Sequence, residues 1–341
     1  MPHTKEVPPG PLVIDVQGLT LNAEDRELIA HPLTGGIVLF ARNYDNPAQL
    51  ADLTQQMRQS RNGPLLISVD QEGGRVQRFK DGFSLIPPMR GYGEWFDTNP
   101  QHAREALTDT ALLLASELRQ HGIDFSYAPV ADLDRGLCPA IGNRALHDTI
   151  DGVVVLAGAV IDGFAMAGCA SVIKHFPGHG GVDVDPHFDF ARDQRSRADI
   201  VTADMQTFKR LHAKASAIMV AHVVYEQVDQ QPATLSAVWQ QDILRAELGF
   251  AGAIVTDDLS MGAITGRMTQ ADAAALALSA GSDLALICNE REAQLVAYHH
   301  AGIQVGDQAS IQRRLSLCAR QAQLPNHQRL ANAAQAIARL S

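Results

Sequence analysis

The sequence has few cysteines and no long apolar run. Four cysteines are spread over 341 residues without a C-x-x-C pair, so neither a disulfide framework nor a zinc knuckle is indicated. The first ten residues lack the apolar core of a signal peptide, and no segment approaches the roughly 18 apolar residues of a membrane span. We therefore expect a cytoplasmic protein with no membrane partner. The cysteines, which we expect to be reduced core residues, are Cys138, Cys169, Cys288 and Cys318.

Charged residues are also scarce. They make up 19% of the chain against 46% hydrophobic residues, which is typical of a packed globular protein and excludes a disordered one. With 28 basic and 38 acidic side chains the formal net charge is −10, which disfavours nucleic acid as a partner. A length of 341 residues suits one large domain of α/β-barrel size or two modest ones.

Short aliphatic runs alternate with longer segments of helical composition, and this alternation indicates a parallel sheet. Eight of these runs are almost continuously apolar, as expected for strands that are buried on both faces. The predicted strands are Leu12–Val16, Gly36–Phe40, Leu65–Val69, Ile123–Ala128, Ser171–Lys174, Ala217–Ala221, Gly252–Thr256 and Asp283–Ile287. The predicted helices are Ala23–Ala30, Pro47–Gln59, His102–His121, Thr149–Ala167, Ala198–Ala213, Ala237–Leu248, Gln270–Ser279 and Glu290–Ala301.

Eight strands is the number that closes a (β/α)8 barrel, so we predict a single α/β domain of the TIM-barrel type over residues 1–305. A doubly wound open sheet is the alternative. That fold usually carries a glycine-rich phosphate loop after its first strand, where this chain reads Asp15-Val-Gln-Gly-Leu19. Residues 306–341 are polar and alanine-rich, and we expect a peripheral helical tail that packs on the barrel or extends from it.

The working residues of such barrels sit at the C-terminal ends of the strands. Five predicted strands are followed by side chains that can ionise or hydrogen-bond. They are Asp70, Arg75 and Arg78 after the third strand, Asp132 and Arg144 after the fourth, Lys174, His175, His179, Asp183, Asp185 and His187 after the fifth, His222 after the sixth, and Asp257 and Asp258 after the seventh.

The segment after the fifth strand is the most specific signal. His175 and His179 have the spacing of a helical zinc pair, but Phe176-Pro-Gly178 between them cannot continue a helix. The general-base glutamate of H-E-x-x-H is absent, and the chain contains no H-x-H cluster of the kind that metallo-β-lactamase-like folds need. We therefore predict no metal.

The segment Asp185-Pro186-His187 indicates a carboxylate–imidazole pair for proton transfer. Proline favours an extended conformation before it, and residues i and i+2 of an extended segment project on the same side. The carboxylate of Asp185 can then fix the tautomer of His187 and raise its basicity, which suits proton delivery followed by proton removal. The alternative is a surface loop in which both residues cap a turn.

Asp257 and Asp258 end an apolar strand, where adjacent side chains point in opposite directions. One can face the barrel mouth while the other braces a loop or a helix N-terminus. Asp70, with Arg75 and Arg78, suits binding of vicinal hydroxyls or of an anionic group, and the alternative is a structural salt bridge. His222 is either a packed core histidine or part of the pocket.

Three motifs in this order resemble the family 3 glycoside hydrolases, in particular the bacterial β-N-acetylhexosaminidases of cell-wall recycling. They are Ser68–Phe79, Lys174–Gly180 with Asp185 and His187, and Thr256–Met261. The resemblance spans residues 12–289. It implies a cytoplasmic, cofactor-free enzyme that removes N-acetylglucosamine from 1,6-anhydro-N-acetylmuramic acid and its peptides. We expect a monomer.

The resemblance also implies roles for individual residues. Asp257 matches the nucleophile, His187 the acid/base and Asp185 its carboxylate partner, in a double displacement that retains configuration. The positions that match sugar-binding residues are Asp70, Arg78, Arg144, Lys174 and His175. A phosphorylase, in which phosphate replaces water, and a non-catalytic sugar-binding protein are the alternatives.

Overall fold

The computed structural model describes residues 6–182, 191–322 and 325–341. Eight parallel strands form a closed barrel in which each strand pairs with its neighbours in the chain and the last pairs with the first. The predicted (β/α)8 barrel is confirmed. The strands are β1 (Leu12–Ile14), β2 (Thr34–Leu39), β3 (Leu66–Val69), β4 (Phe125–Ser126), β5 (Ala170–Phe176), β6 (Ala217–Val220), β7 (Ala253–Asp258) and β8 (Leu284–Leu286).

The helices surround this barrel, and most begin at a polar residue whose side chain accepts a backbone N–H of the first turn. The first two have the predicted bounds. They are α1 (Ala23–Ala30), α2 (Pro47–Gln59), α3 (Met89–Thr98), α4 (Pro100–Gln120), α5 (Ile150–Met166), α6 (Arg197–Thr202), α7 (Asp204–Leu211), α8 (Gly262–Thr265), α9 (Gln270–Ala280), α10 (Arg291–Tyr298), α11 (Gln308–Leu315) and α12 (His327–Leu340), with a π-helix at Val238–Glu247.

Several helical segments differ from the sequence prediction, and two of the differences have a clear physical reason. The single helix predicted over Ala198–Ala213 is two helices, because the backbone breaks at Ala203, where φ is −119° and ψ is −93°. The helix α3 was missed because Gly91 and Gly93 lower its helix propensity. Gly93 is required by packing, since a Cβ there would lie 1.9 Å from the carbonyl oxygen of Leu146.

Two apolar layers fix the direction of the strand side chains. Ala253 and Val255 of β7 belong to the cluster inside the barrel, and Ile254 belongs to the layer between the strands and the helices. Because side chains alternate along a strand, Asp257 continues the inward row and Asp258 the outward row. The barrel therefore aims one acid of this pair at its mouth.

The C-terminal segment contacts the barrel at two places. Arg313 of α11 donates to Asp283 at the start of β8, and Leu317 is buried in the cluster inside the barrel. Farther along, Arg329 and Asn332 of α12 both donate to Asp109 of α4 at 2.9 Å. Among the described residues, no helix combines the length and the apolar character that crossing a membrane requires.

Candidate active site

Lys174 lies at the centre of a buried charge network at the barrel mouth. It continues the inward row of Ala170 and Val172 along β5, and its side chain is only 2% exposed. Its Nζ lies 3.0 Å from Oδ1 of Asp70 and 2.6 Å from Oε1 of Glu72. Two carboxylates from the loop after β3 therefore surround one ammonium group from β5.

Arg144 joins the same network through Glu72. Its Nε and Nη2 donate to the two carboxylate oxygens of Glu72 at 2.9 and 2.7 Å, which is the bidentate geometry of a strong ion pair. Burial alone would raise the pKa of Glu72, but Lys174 and Arg144 lower it to about 2. Glu72 is therefore ionised, and it holds both cations in fixed positions.

Arg78 and Arg75 have different surroundings. Arg78 Nη2 lies 3.6 Å from Oδ2 of Asp70, within the mouth. The guanidinium of Arg75 instead donates to the carbonyl oxygens of Pro139 and Ala140 at 3.0 and 2.6 Å. The expectation that both arginines accompany Asp70 is therefore wrong for Arg75, because the tight turn at Gly73 and Gly74 directs it toward the loop after β4.

Asp132 fixes two histidines at the end of β5. It is buried, and its Oδ2 lies 2.7 Å from Nδ1 of His175 while its Oδ1 accepts the backbone N–H of His179 at 2.7 Å. Burial would raise the pKa of Asp132, but the neighbouring His175 and His179 lower it overall. An ionised carboxylate thus orients the imidazole of His175.

Asp257 faces positive groups at the end of β7. The described residues give it one hydrogen bond, from the backbone N–H of Asp258 to Oδ1 at 2.8 Å. Burial would raise its pKa, but His175, His222 and Lys174 together lower it. The carboxylate is therefore ionised at neutral pH. Among the described residues, only one hydrogen bond occupies its lone pairs, so they remain available for reaction.

Asp258 is surrounded quite differently. Its side chain accepts from Ser260 N at 3.0 Å, Ser260 Oγ at 2.7 Å, Cys288 N at 3.3 Å and Asn289 Nδ2 at 3.2 Å. Burial raises its pKa, against the effect of the Ser260 bonds. This acid braces the loops after β7 and β8, so the two roles that the sequence allowed are divided between adjacent residues.

His222 is buried at the end of β6. Its Nε2 lies 3.0 Å from the carbonyl oxygen of Asp258, and the described residues offer no partner to its Nδ1. Burial lowers the pKa of His222, while the charge of Asp257 acts to raise it. Of the two interpretations left open by the sequence, the burial fits a packed histidine, and its electrostatic coupling to Asp257 puts it beside the mouth.

Asp185 and His187 lie outside the described residues. The chain on either side of them is anchored beside the end of β6. Tyr225 Oη donates to the carbonyl oxygen of Gly178 at 2.8 Å, and Ala191–Asp193 pairs in parallel with Val223–Tyr225. Arg195 then forms ion pairs with Asp193 and Asp204.

Sequence reasoning missed two residues of this network. Glu72 lies within the motif Ser68–Phe79, two positions after Asp70, but the sequence analysis predicts no function for it. Asp132 was noted at a strand end without a partner. Its relation to His175 depends on the adjacency of two strands, shown by the bridge between Val130 and Lys174.

Comparison with known proteins identifies the family. The model of the glycosyl hydrolase family 3 N-terminal domain matches residues 11–317. A beta-hexosaminidase of Thiobacillus denitrificans is 49% identical over 284 residues, which cover 83% of this chain and 79% of that protein. The crystal structure of native NagZ from Neisseria gonorrhoeae is 36% identical with a TM-score of 0.92, and the match covers 98% of both chains. A second structure of that protein, in complex with N-trifluoroacetyl-D-glucosamine, also gives a TM-score of 0.92 at 36% identity and covers 98% of this chain and 99% of that one.

The barrel, the charged mouth and this family match define a glycoside hydrolase. The chain belongs to glycosyl hydrolase family 3. Within that family it belongs with the bacterial β-N-acetylhexosaminidases, as the resemblance of its three motifs implied.

Proposed function

We propose that the protein is a retaining exo-β-N-acetylglucosaminidase that acts on fragments of peptidoglycan turnover. Its substrates are N-acetylglucosaminyl-1,6-anhydro-N-acetylmuramic acid and the peptide derivatives of that disaccharide. The observation that carries the proposal is Asp257, an ionised carboxylate aimed into the barrel mouth beside Lys174 and His175. The N-acylated glucosamine bound by the related Neisseria protein supports an amino sugar as ligand.

Asp257 is the proposed nucleophile. A carboxylate must be ionised and accessible along one lone pair to attack an anomeric carbon. Asp257 meets the first requirement because its pKa is lowered, and the second because its one described hydrogen bond leaves the other oxygen available. Attack forms a glycosyl–enzyme ester, and the bond between the anomeric carbon and the leaving-group oxygen breaks.

The sugar is proposed to bind through the charge network. Asp70 and Lys174 supply an acceptor and a donor 3.0 Å apart, which suits two neighbouring hydroxyl groups of one ring. Arg78 lies next to Asp70, and Arg144 is fixed by Glu72. His175, held by Asp132, completes the set of proposed sugar-binding residues.

His187 is the proposed acid/base and Asp185 its partner. As an imidazolium, His187 protonates the departing oxygen; as the neutral base, it then removes a proton from the water that hydrolyses the ester. Attack from opposite faces in the two steps retains the configuration at the anomeric carbon. Support comes from the sequence motif, and from the anchoring of the flanking chain beside the strand that precedes His222.

Trapping the intermediate tests the nucleophile and the reaction class together. The protein is incubated with an activated 2-fluoro glycoside, and its intact mass and its labelled peptide are measured. We expect a single adduct on Asp257. Labelling of another carboxylate would remove Asp257 from this role, and the absence of any adduct would favour a sugar-binding protein.

A phosphate series separates hydrolysis from phosphorolysis. With a GlcNAc–anhydro-MurNAc disaccharide, free N-acetylglucosamine is the expected product at every phosphate concentration. Formation of the sugar 1-phosphate at a rate that rises with phosphate would assign the phosphorylase alternative instead.

We also propose that the enzyme works in the cytoplasm as a monomer. Gel filtration with light scattering tests the oligomeric state.

A further inference from the structure

Cys138 and His179 form a contact that the proposed mechanism does not use. Cys138 lies in the loop after β4, and its Sγ is 3.4 Å from Nδ1 of His179. Cys138 is buried, as we expect of a core residue, but its thiol also contacts a titratable side chain. The two residues are far apart in the chain, and the parallel pairing of β4 with β5 brings their loops together.

The surroundings of Cys138 stabilise a thiolate. Burial alone would raise the pKa of this thiol, but His179 and the backbone N–H groups of Ile141 and Ala140 hold it below its ordinary value. Burial would likewise lower the pKa of His179, and Cys138 together with Asp132 raises it. Both shifts act toward the thiolate–imidazolium form of the pair, and the thiolate is the nucleophilic form of cysteine.

The other three cysteines have the opposite environment. Burial raises the pKa of Cys169 to about 12 and that of Cys318 to about 11. Burial also raises the pKa of Cys288 well above its ordinary value. Cys318 is more exposed to solvent than Cys138, but Cys138 has the lower thiol pKa. Solvent exposure therefore predicts that Cys318 reacts faster, and thiolate character predicts that Cys138 does.

We propose that Cys138 is a modification site for hydroperoxides, and that its modification inactivates the enzyme by displacing His179. The thiolate attacks one peroxide oxygen, so that an S–O bond forms and the O–O bond breaks. The leaving hydroxide, or the alkoxide where the peroxide is organic, takes the proton of the His179 imidazolium and departs as water or as an alcohol. Sulfur is oxidised by two electrons to a sulfenic acid, and the peroxide is reduced by two.

A small reagent can reach this thiol. Cys138 is 5% exposed, but Leu137 before it is 53% exposed and Pro139 and Ala140 after it are exposed as well. A Cβ added to Gly136 would meet no atom within 4 Å, so the outer side of the loop is open. Among the described residues, Cys138 packs with Val130, Ile141 and Ala145 in a small buried cluster, next to a short stretch of exposed surface loop.

The contact also leads to the active site. An oxygen added to Sγ on the side of the His179 ring, which is already at contact distance, would push that ring away. The backbone N–H of His179 binds the same Asp132 that orients His175. Movement of His179 therefore disturbs the carboxylate that positions His175 opposite Asp257.

Limited alkylation tests the reactivity without reference to the proposed function. The folded protein is treated with a small excess of iodoacetamide, and the labelled peptides are quantified over time. We expect Cys138 to react about tenfold faster than Cys318. Faster labelling of Cys318 would show that exposure governs reactivity, and it would overturn the proposal.

Three variants test the role of the histidine and the effect on activity, and the effect on activity rests on the proposed function. Cys138→Ser should keep basal activity and resist hydrogen peroxide, whereas Cys318→Ser should remain as sensitive as the unmodified protein. His179→Gln should slow alkylation of Cys138, and its thermal unfolding shows whether the fold is intact. Oxidation of Cys138, detected with dimedone, that leaves activity unchanged would refute inactivation through His179. Equal peroxide sensitivity of Cys138→Ser would refute the site.

Discussion

Lys174 Nζ lies 2.6 Å from Oε1 of Glu72, and the two side chains are only 2% and 3% exposed. The same carboxylate takes two hydrogen bonds from Arg144. One buried carboxylate thus pairs with two buried cations at the barrel mouth, and the partly exposed Asp70 is the second partner of Lys174. Removing one partner of a buried ion pair leaves the other desolvated and unpaired, which costs far more than the pair contributes.

Glu72→Gln should therefore destabilise the protein. We expect its free energy of unfolding to fall by about 3–5 kcal/mol, measured by urea denaturation at neutral pH. The matched control is Glu247→Gln, which removes an exposed carboxylate that lies 2.6 Å from Arg197. Its cost should stay below about 1 kcal/mol, because both side chains are about half exposed to water. Equal costs for the two variants would contradict the account of the network.

The same carboxylate predicts a pH dependence of stability. The pKa of Glu72 is lowered from 4.5 to about 2, so its contribution is complete above pH 4.5 and is lost as the pH falls toward 2. The difference in unfolding free energy between the unmodified protein and Glu72→Gln should therefore shrink across this window. Urea titrations at pH 7, 4.5 and 3 measure it. A difference that stays constant on acidification would show that the pKa of Glu72 is the same in the folded and unfolded states.

The barrel was predictable from the sequence because strands buried on both faces are apolar at nearly every position, as Ala253–Val255 illustrates. The bounds of α1 and α2 were predictable because Asn22 and Asn46 are N-caps. These signals are local and can be read along the chain.

The ion pairs of the site could not be predicted in the same way. Glu72 meets Lys174 and Arg144 because the loops after β3 and β4 converge with the end of β5 at one mouth, and Cys138 meets His179 because the loops after β4 and β5 are adjacent. Nothing in the spacing of residues specifies which of several charges will pair across strands. The family resemblance pointed to Arg144 and Lys174 without revealing the carboxylate that holds them.

Adjacent acids at the end of β7 should respond differently to the same change. Asp257→Asn should abolish turnover and leave the melting temperature nearly unchanged, because the described residues give that side chain a single hydrogen bond. Asp258→Asn should lower the melting temperature, because its carboxylate accepts from Ser260, Cys288 and Asn289. Steady-state kinetics and calorimetry on both variants provide the measurement. Turnover by Asp257→Asn at the original rate would refute the nucleophile assignment.

His187→Ala should discriminate among substrates. Protonation of the departing oxygen matters most for a poor leaving group, so hydrolysis of the disaccharide should slow by about 10²–10⁴-fold. An aryl glycoside with an acidic phenol needs little protonation, so its glycosylation step should slow much less. Pre-steady-state kinetics on both substrates separates that step from hydrolysis of the ester. Asp257→Asn serves as the comparison because it should lose activity on both substrates equally. A uniform loss in His187→Ala would argue against the acid role.

A substitution at Asp283 tests whether the segment after residue 305 stabilises the barrel or contributes to catalysis. Asp283 lies at the opposite end of the barrel from Asp257. This buried carboxylate accepts from Arg313 Nε at 2.9 Å, Ser310 Oγ at 2.6 Å and Arg245 Nη2 at 2.8 Å, and so ties α11 to the start of β8. Asp283→Asn leaves the arginines without their counter-charge, and we expect a loss of about 3–5 kcal/mol in unfolding free energy. Its kcat/KM should be unchanged at temperatures where the variant is folded.

The control for this variant is Asp272→Asn, which removes a carboxylate that is 53% exposed and lies 3.1 Å from His300. That pair is exposed to water, so its loss should lower the unfolding free energy far less than Asp283→Asn does. Comparing stability and kcat/KM in the two variants shows whether the contacts of Asp283 stabilise the fold or affect catalysis. Because Asp283 and Asp257 lie at opposite ends of the barrel, a fall in kcat/KM without a fall in stability would mean that α11 acts on the active site rather than on the barrel.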